Sequence, residues 1–105
     1  MKTAKSPASR SHDAAVVDML KADPEFADAY LATALEEADQ PGGQTALLAA
    51  LRHVAEAQGM AAVAERAGIP RESLYRALSP RGNPTIKTLL AVMGAAGLQL
   101  AVTRG

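Results

Sequence analysis

The chain has no cysteine and no tryptophan, and only three aromatic residues, Phe26, Tyr30 and Tyr75. Without thiols there can be neither a disulfide nor a thiolate-bound metal, which suits a reducing compartment. Its two histidines do not make a metal site. His12 falls in a polar tail, and His53 lies on a helix with no second ligand at metal-binding spacing, so it reads as a solvated or half-packed side chain. No apolar run is long enough to cross a bilayer, and Met1–Arg10 lacks the apolar centre of a signal peptide. The expectation is a soluble, cytoplasmic protein that does not engage a membrane.

Catalytic chemistry is missing as well. Ser9, Ser11, Ser73 and Ser79 have no evident base to activate them, and neighbouring Glu36 and Glu37 diverge on a helix. There is no Walker or dinucleotide fingerprint. An enzyme is not expected, nor a cofactor or metal.

Net charge is zero over the 105 residues, but it is unevenly laid out. Between Ser11 and Gly43 eight carboxylates face a single Lys21, a balance of −7. From Gln44 to Gly105 seven bases face Glu56, Glu65 and Glu72, a balance of +4. Such polarity suits two faces for two kinds of partner, because summed charge steers association. Solvated helix faces that merely differ in sign would look the same, and charge alone does not separate the two readings.

What is abundant is alanine and aliphatic residues, 49% apolar in total, punctuated by Gly and Pro. The core of so short a chain is expected to be thin, and pairing of two copies is a natural source of further stability. Residues 1–12 read as a flexible tail, 13–43 as acidic N-terminal helices and 44–105 as a second unit. Asp13 is placed to cap a helix over Ala14–Ala22, and Asp23 to cap the next, with Pro24 at its first position. In that second helix Phe26, Tyr30, Ala34 and Ala38 share a stripe, flanked by Leu31 and Leu35, until "QPGG" stops it. A third helix from Gln44 or Thr45 carries Leu47, Leu48, Leu51, Val54 and Ala55 on its apolar face. Ala61–Ala67 follows, then Gly68 at a sharp corner, then a short helix opened by Pro70 or Arg71 with Leu74, Ala77 and Leu78 inward. "SPRGNP" is a loop by its turn formers. Thr85–Ala96 is expected to bury Ile86, Leu89, Leu90 and Met93, and "LQLAV" alternates as a short strand over Leu98–Val102. Met19, Met60 and Met93 read as packing residues.

Two helices of about two turns around a glycine have the spacing of a helix-turn-helix, whose second helix lies in the major groove with its early residues at base edges. That leaves Arg71, Glu72, Ser73 and Arg76 on the outer face, with Tyr75 offering a hydroxyl to phosphate or ring area to a thymine methyl. Arg can grip guanine O6 and N7 in a bidentate way, and Ser can serve base edge or phosphate. Arg81, Asn83, Thr85 and Lys87 follow where a loop and a helix N-terminus would meet the sugar-phosphate backbone. Any small α-protein carries short helices with Arg outside, so spacing alone leaves DNA binding and plain packing both open.

"DPEFADAYLATALEE" followed by "LLAALRHVAEAQGMAAVAERAGIPRESLYRALSPRGNPTIKTLLAVMGAAGLQLAV" resembles the addiction-module antidote family, the HigA-like antitoxins with a lambda-repressor-like (XRE-type) helix-turn-helix. The likeness runs from about Asp13 to Val102, with "PRESLYRALSPRGNPT" in register. It implies an all-α, lambda-repressor-like bundle with acidic N-terminal helices and a short C-terminal strand. It further implies an antitoxin that binds and neutralises a small basic toxin of the RelE/ParE superfamily, and that represses its own operon by binding operator DNA as a homodimer. By position, Arg71, Ser73, Tyr75 and Arg76 become recognition contacts, and Arg81, Asn83, Thr85 and Lys87 backbone contacts. Asp18, Glu25, Asp28, Glu36 and Glu37 become the toxin-facing surface. Relatives in the wider repressor superfamily often open the first motif helix with Gln. Here Ala61 and Ala62 stand there, which points to weaker operator binding or to the toxin as co-repressor. Two further readings are a stand-alone regulator without a toxin, and an interaction module that no longer binds DNA.

Overall fold

Breakers at Asp23-Pro24, at the "QPGG" turn, at Gly59, at Gly68 and in the Ser79–Thr85 loop divide the described residues into six helices. They are α1 (Lys5–Ala22), α2 (Pro24–Glu36), α3 (Gly43–Gln58), α4 (Met60–Ala67), α5 (Arg71–Ala77) and α6 (Ile86–Ala95). This is a computed structural model, and it describes the backbone of residues 5–104 and the side chains of residues 12–104. Among the described residues there is no strand.

The central element is α3. One side of it takes α1 and α2, and its far end hands on to α4, which in turn holds α5 and α6. Leu31 from α2, Leu48, Leu51 and Ala55 from α3, Met60, Val63 and Ala64 from α4, Leu74 and Leu78 from the α5 region, and Val92 and Met93 from α6 form one buried cluster. Alanines at 50, 55 and 64 let the helix axes approach closely, which is how a chain poor in aromatics still closes its core. No described helix is long and apolar enough to cross a membrane.

Several expectations are corrected. The first helix does not start after an Asp13 cap: it is already formed at Lys5, so residues 5–12 of the expected tail are helical, while residues 1–4 lie outside the described ones. Only Pro7 could interrupt this segment, and it sits in the first turn, where a missing N–H costs nothing. Asp13 instead stands in the middle of α1, exposed, with its carboxylate turned to His53. His53 is neither solvated nor half-packed; it is buried. Met19 does not pack, being exposed.

In α6 the buried face is rotated from the one expected. Leu89, Val92 and Met93 turn towards the core, whereas Ile86 is 74% and Leu90 48% exposed. The helix is apolar nearly all round, so its own periodicity could not choose between two faces; the ridge of α4 chose. The segment after Gly97 is not a strand. Leu98 N–H closes onto the Met93 carbonyl at 2.8 Å, a Schellman-type end to α6, and beyond it Gln99–Arg104 take no backbone hydrogen bond among the described residues. An alternating segment needs a neighbouring strand to become one, and an all-helical chain offers none.

Candidate nucleic-acid interface

The corner between α4 and α5 is closed by the backbone. Gly68 N–H donates to the Glu65 carbonyl at 3.1 Å, and Ile69 N–H donates to the Ala64 carbonyl at 3.1 Å. This arrangement needs a left-handed residue, and Gly68 adopts φ +74°. Pro70 then stands at the N-cap of α5, with its ring and extended backbone setting the direction in which the next helix leaves.

α5 is only seven residues long, so its orientation depends on anchors. Leu74 and Leu78 are the anchors below, at 0% and 1% exposure. A third lies at its end: Arg52 of α3 donates from Nη1 to the Leu78 carbonyl at 2.8 Å. That bond places a cation at the negative end of α5 and satisfies a carbonyl the helix cannot. With this underside fixed, Arg71, Tyr75 and Arg76 are exposed and Ser73 half-buried. The Arg71 guanidinium carbon lies 6.0 Å from the Tyr75 ring centroid, which holds two of the outward groups together.

The loop after α5 folds back on it. Gly82 N–H donates to the Ser79 carbonyl at 2.8 Å, and the Ser79 hydroxyl donates to the Arg76 carbonyl at 2.8 Å. Gly82 lies so close to Ala77 that any Cβ would collide with its carbonyl oxygen. Arg81 and Asn83, exposed, flank this glycine. A shallow depression of about 460 Å³ lies between α5 and the loop, lined by Ser73, Arg76, Arg81, Asn83 and Thr85 among others. Thus seven of the eight residues expected to touch DNA cluster on α5 and the loop that follows it. Lys87 extends the group onto exposed α6.

Thr85 has a different local task from the one expected. Its Oγ1 accepts from Thr88 N–H at 3.0 Å and lies 3.1 Å from Thr88 Oγ1, to which it donates. It is the N-cap of α6, and its one proton is already committed. Phosphate contact at this end would fall to Lys87 and to the unpaired N–H groups of the first turn.

The positive half of the chain is less free than its count suggested. Arg52 is committed to α5, and Arg66 donates to the Ala95 carbonyl at 2.8 Å and to Gln58 Oε1 at 3.2 Å, clamping the end of α6. Both spend donors on the scaffold, Arg66 while remaining exposed, and composition could not have shown this.

On the acidic side, Asp18, Glu25, Asp28, Glu36 and Glu37 are all exposed. They ride on α1, α2 and the turn after it, whereas the cationic group rides on α5, its loop and α6. Asp23 is not among the free acids in function: it caps α2, accepting from Glu25 and Phe26 N–H at 3.1 and 3.2 Å.

Holding these acidic helices is a chain of side chains that the sequence reading missed. The Tyr30 hydroxyl lies 2.7 Å from His53 Nδ1, and His53 Nε2 lies 3.1 Å from Asp13 Oδ1. A neutral imidazole with its proton on Nε2 satisfies both: Tyr30 donates to Nδ1, and Nε2 donates to Asp13. One residue from each of α1, α2 and α3 is thereby tied into a single line. Burial, reinforced by the Asp13 carboxylate and opposed by Arg52, raises the Tyr30 phenol above its ordinary value. The available signal was that Ala49 and Ala50 stand four and three residues before His53, which puts the imidazole on an apolar face of α3. No group of three His, Asp or Glu residues that could hold a metal occurs among the described residues.

Residues 11–104 match a family model described as "probable addiction module antidote protein". A 56-residue stretch is 50% identical to an uncharacterized protein of Haemophilus influenzae, covering 53% of this chain and 58% of that relative. The match thus spans just over half the length of the relative. No solved structure matches the chain.

Proposed function

The chain belongs to the family of probable addiction module antidote proteins, and on that footing we propose that it is the antitoxin of a type II toxin–antitoxin pair. In this reading it neutralises a small basic RelE/ParE-superfamily toxin through Asp18, Glu25, Asp28, Glu36 and Glu37. It also represses its own operon, in the cytoplasm, by laying α5 in the major groove of operator DNA.

The observation that carries the DNA half is the way α5 is mounted. Its aliphatic side is sealed into the core, its end is gripped by Arg52, and its guanidinium and phenol groups face out. Arg71 and Arg76 have the chemistry to read guanine, each worth about 1–3 kcal/mol of discrimination, with Ser73 and Tyr75 beside them. Arg81, Asn83 and Lys87 supply the sequence-independent contacts, beside the Ile86 and Lys87 N–H groups that the Thr85 cap does not use. The toxin half rests on charge: a surface this acidic attracts a basic protein and repels DNA, so the two partners need not compete for one face.

Mobility of a fragment of the chain's own promoter, with and without the adjacent gene product, tests this. Arg76→Ala should weaken the shift at least tenfold while the chain still co-purifies with the toxin. Equal loss of both, with helicity unchanged by circular dichroism, would reject two separate faces. The second reading, a stand-alone regulator, is favoured by one observation: the Tyr30–His53–Asp13 line gives α1 and α2 a scaffold role without a toxin. A neighbouring reading frame that encodes no small basic protein would select it.

A further inference from the structure

Aromatic side chains are scarce in this chain, and two of its three, Phe26 and Tyr30, line one surface groove. Both are half-buried, with ring centroids 6.1 Å apart and planes 26° from parallel. The groove, about 390 Å³ in volume, runs between α2 and α3 from Phe26 to Glu37, about 16 Å along the α2 axis. Its deepest residues are small: Ala50 is buried and Ala34 half-buried, which leaves room between the two helix backbones. Ala29 and Thr33 stand exposed at its mouth. The Tyr30 hydroxyl is tied to His53, so that ring is already fixed and a partner need not order it.

The charge around the groove has one sign. Glu37 lines it, and among the described residues no Lys or Arg does. Glu36, three residues after Thr33, and Glu25, four before Ala29, are exposed on the same side of α2.

We infer that this groove is the anchoring point of the protein partner. It takes an aliphatic or aromatic side chain of the basic toxin, flanked within one helical turn by Lys or Arg that meet Glu25, Glu36 and Glu37. The inference rests on the antitoxin reading and narrows it. Asp18 lies beside Val17 and Glu56, and Asp28 borders the clefts that α2 forms towards α6. Those two carboxylates then act by long-range steering and not by contact.

Charge selects this occupant over the others. The three glutamates repel nucleic acid, and a second copy seated here would set the same acids against themselves. A protein that is apolar at one side chain and cationic around it complements both the trough and its rim. Rigid aromatic groups in a preformed pocket, ringed by residues that exclude water, are where the binding energy of such contacts concentrates.

A matched pair of variants tests the placement. Ala29→Lys and Ala32→Lys change the net charge equally, at exposed positions of one helix, but only the first enters this groove; Ala32 lines the cleft towards α6. In calorimetric titration with the purified product of the adjacent reading frame, Ala29→Lys should lose roughly 30-fold or more in affinity. Ala32→Lys should stay within about threefold, as expected of a change in overall charge alone. Both should keep wild-type helicity. A second measurement does not depend on the lysine variants: Thr33→Cys in this cysteine-free chain, carrying a nitroxide label, should be immobilised when the complex forms. Equal affinities for the two lysine variants, or a label that stays mobile in a complex seen by gel filtration, overturns the groove and leaves the antitoxin reading standing. A label immobilised by raising the concentration of the chain alone assigns the groove to a second copy and also overturns it. If the unaltered chain forms no complex with that product, the antitoxin reading fails and takes this inference with it.

Discussion

Buried between a phenol and a carboxylate, His53 shows how much one side chain can organise in a thin core. Tyr30→Phe removes the bond to Nδ1 and is expected to cost about 1 kcal/mol near neutrality, read as a lower urea midpoint. The same residue carries a pH signature. Its phenol is harder to ionise in the folded chain than in the unfolded one, chiefly because it is buried. The associated stability is therefore complete below the ordinary phenol range and is lost as pH climbs through the raised folded value. Urea midpoints measured across alkaline pH should fall for the wild type, and Tyr30→Phe should lack that component. A parallel decline in both would mean that Tyr30 is not the group responsible.

At the level of elements, the loop behind α5 is as constrained as the helix itself. Gly82→Ala forces a Cβ into the Ala77 carbonyl, and the backbone must move to admit it. A loss of roughly 1–3 kcal/mol follows. Because Arg81 and Asn83 flank Gly82, the promoter shift should weaken as well, with toxin capture retained; a variant with unchanged melting temperature would show that the loop is slack. Lys87, one residue into α6, is a separate test of which end of that helix meets phosphate. Lys87→Ala should weaken binding to all DNA alike and make the salt dependence shallower by about one unit of slope. The α4–α5 corner was legible because its determinants are local: Gly68 for the left-handed turn, Leu74 and Leu78 for the underside. The face of α6 was not. Ile86 and Leu90 are as apolar as Val92, and only the position of α4 decides which of them is covered.

For the molecule as a whole, the proposed function turns the division of charge into a division of partners. Glu36→Lys with Glu37→Lys reverses two exposed acids at the end of α2 without touching the core. Association with a basic toxin should slow roughly tenfold at low salt and converge on the wild type at high salt, while promoter binding holds. Stopped-flow association at two ionic strengths separates this from a loss of fold, which would slow both at any salt. The count of cations in the second half overstated the free positive surface, because Arg52 and Arg66 spend donors on the carbonyls that end α5 and α6. Which guanidiniums face solvent is a property of packing, invisible to a sum over residues.

By itself, the sequence determined where the helices other than α2 stop (α2 ends at Glu36, ahead of Ala38 and the "QPGG" turn), that the carboxylates precede the cations, and that a tight corner precedes Arg71, because breakers, charge and φ > 0 act over a few residues. Only the tertiary structure decided that α1 starts early, that His53 is enclosed, that α6 turns Leu90 outward, and that Leu98–Val102 goes unpaired. Each of those depends on what lies across from the residue, and distant segments become neighbours only when the chain has folded.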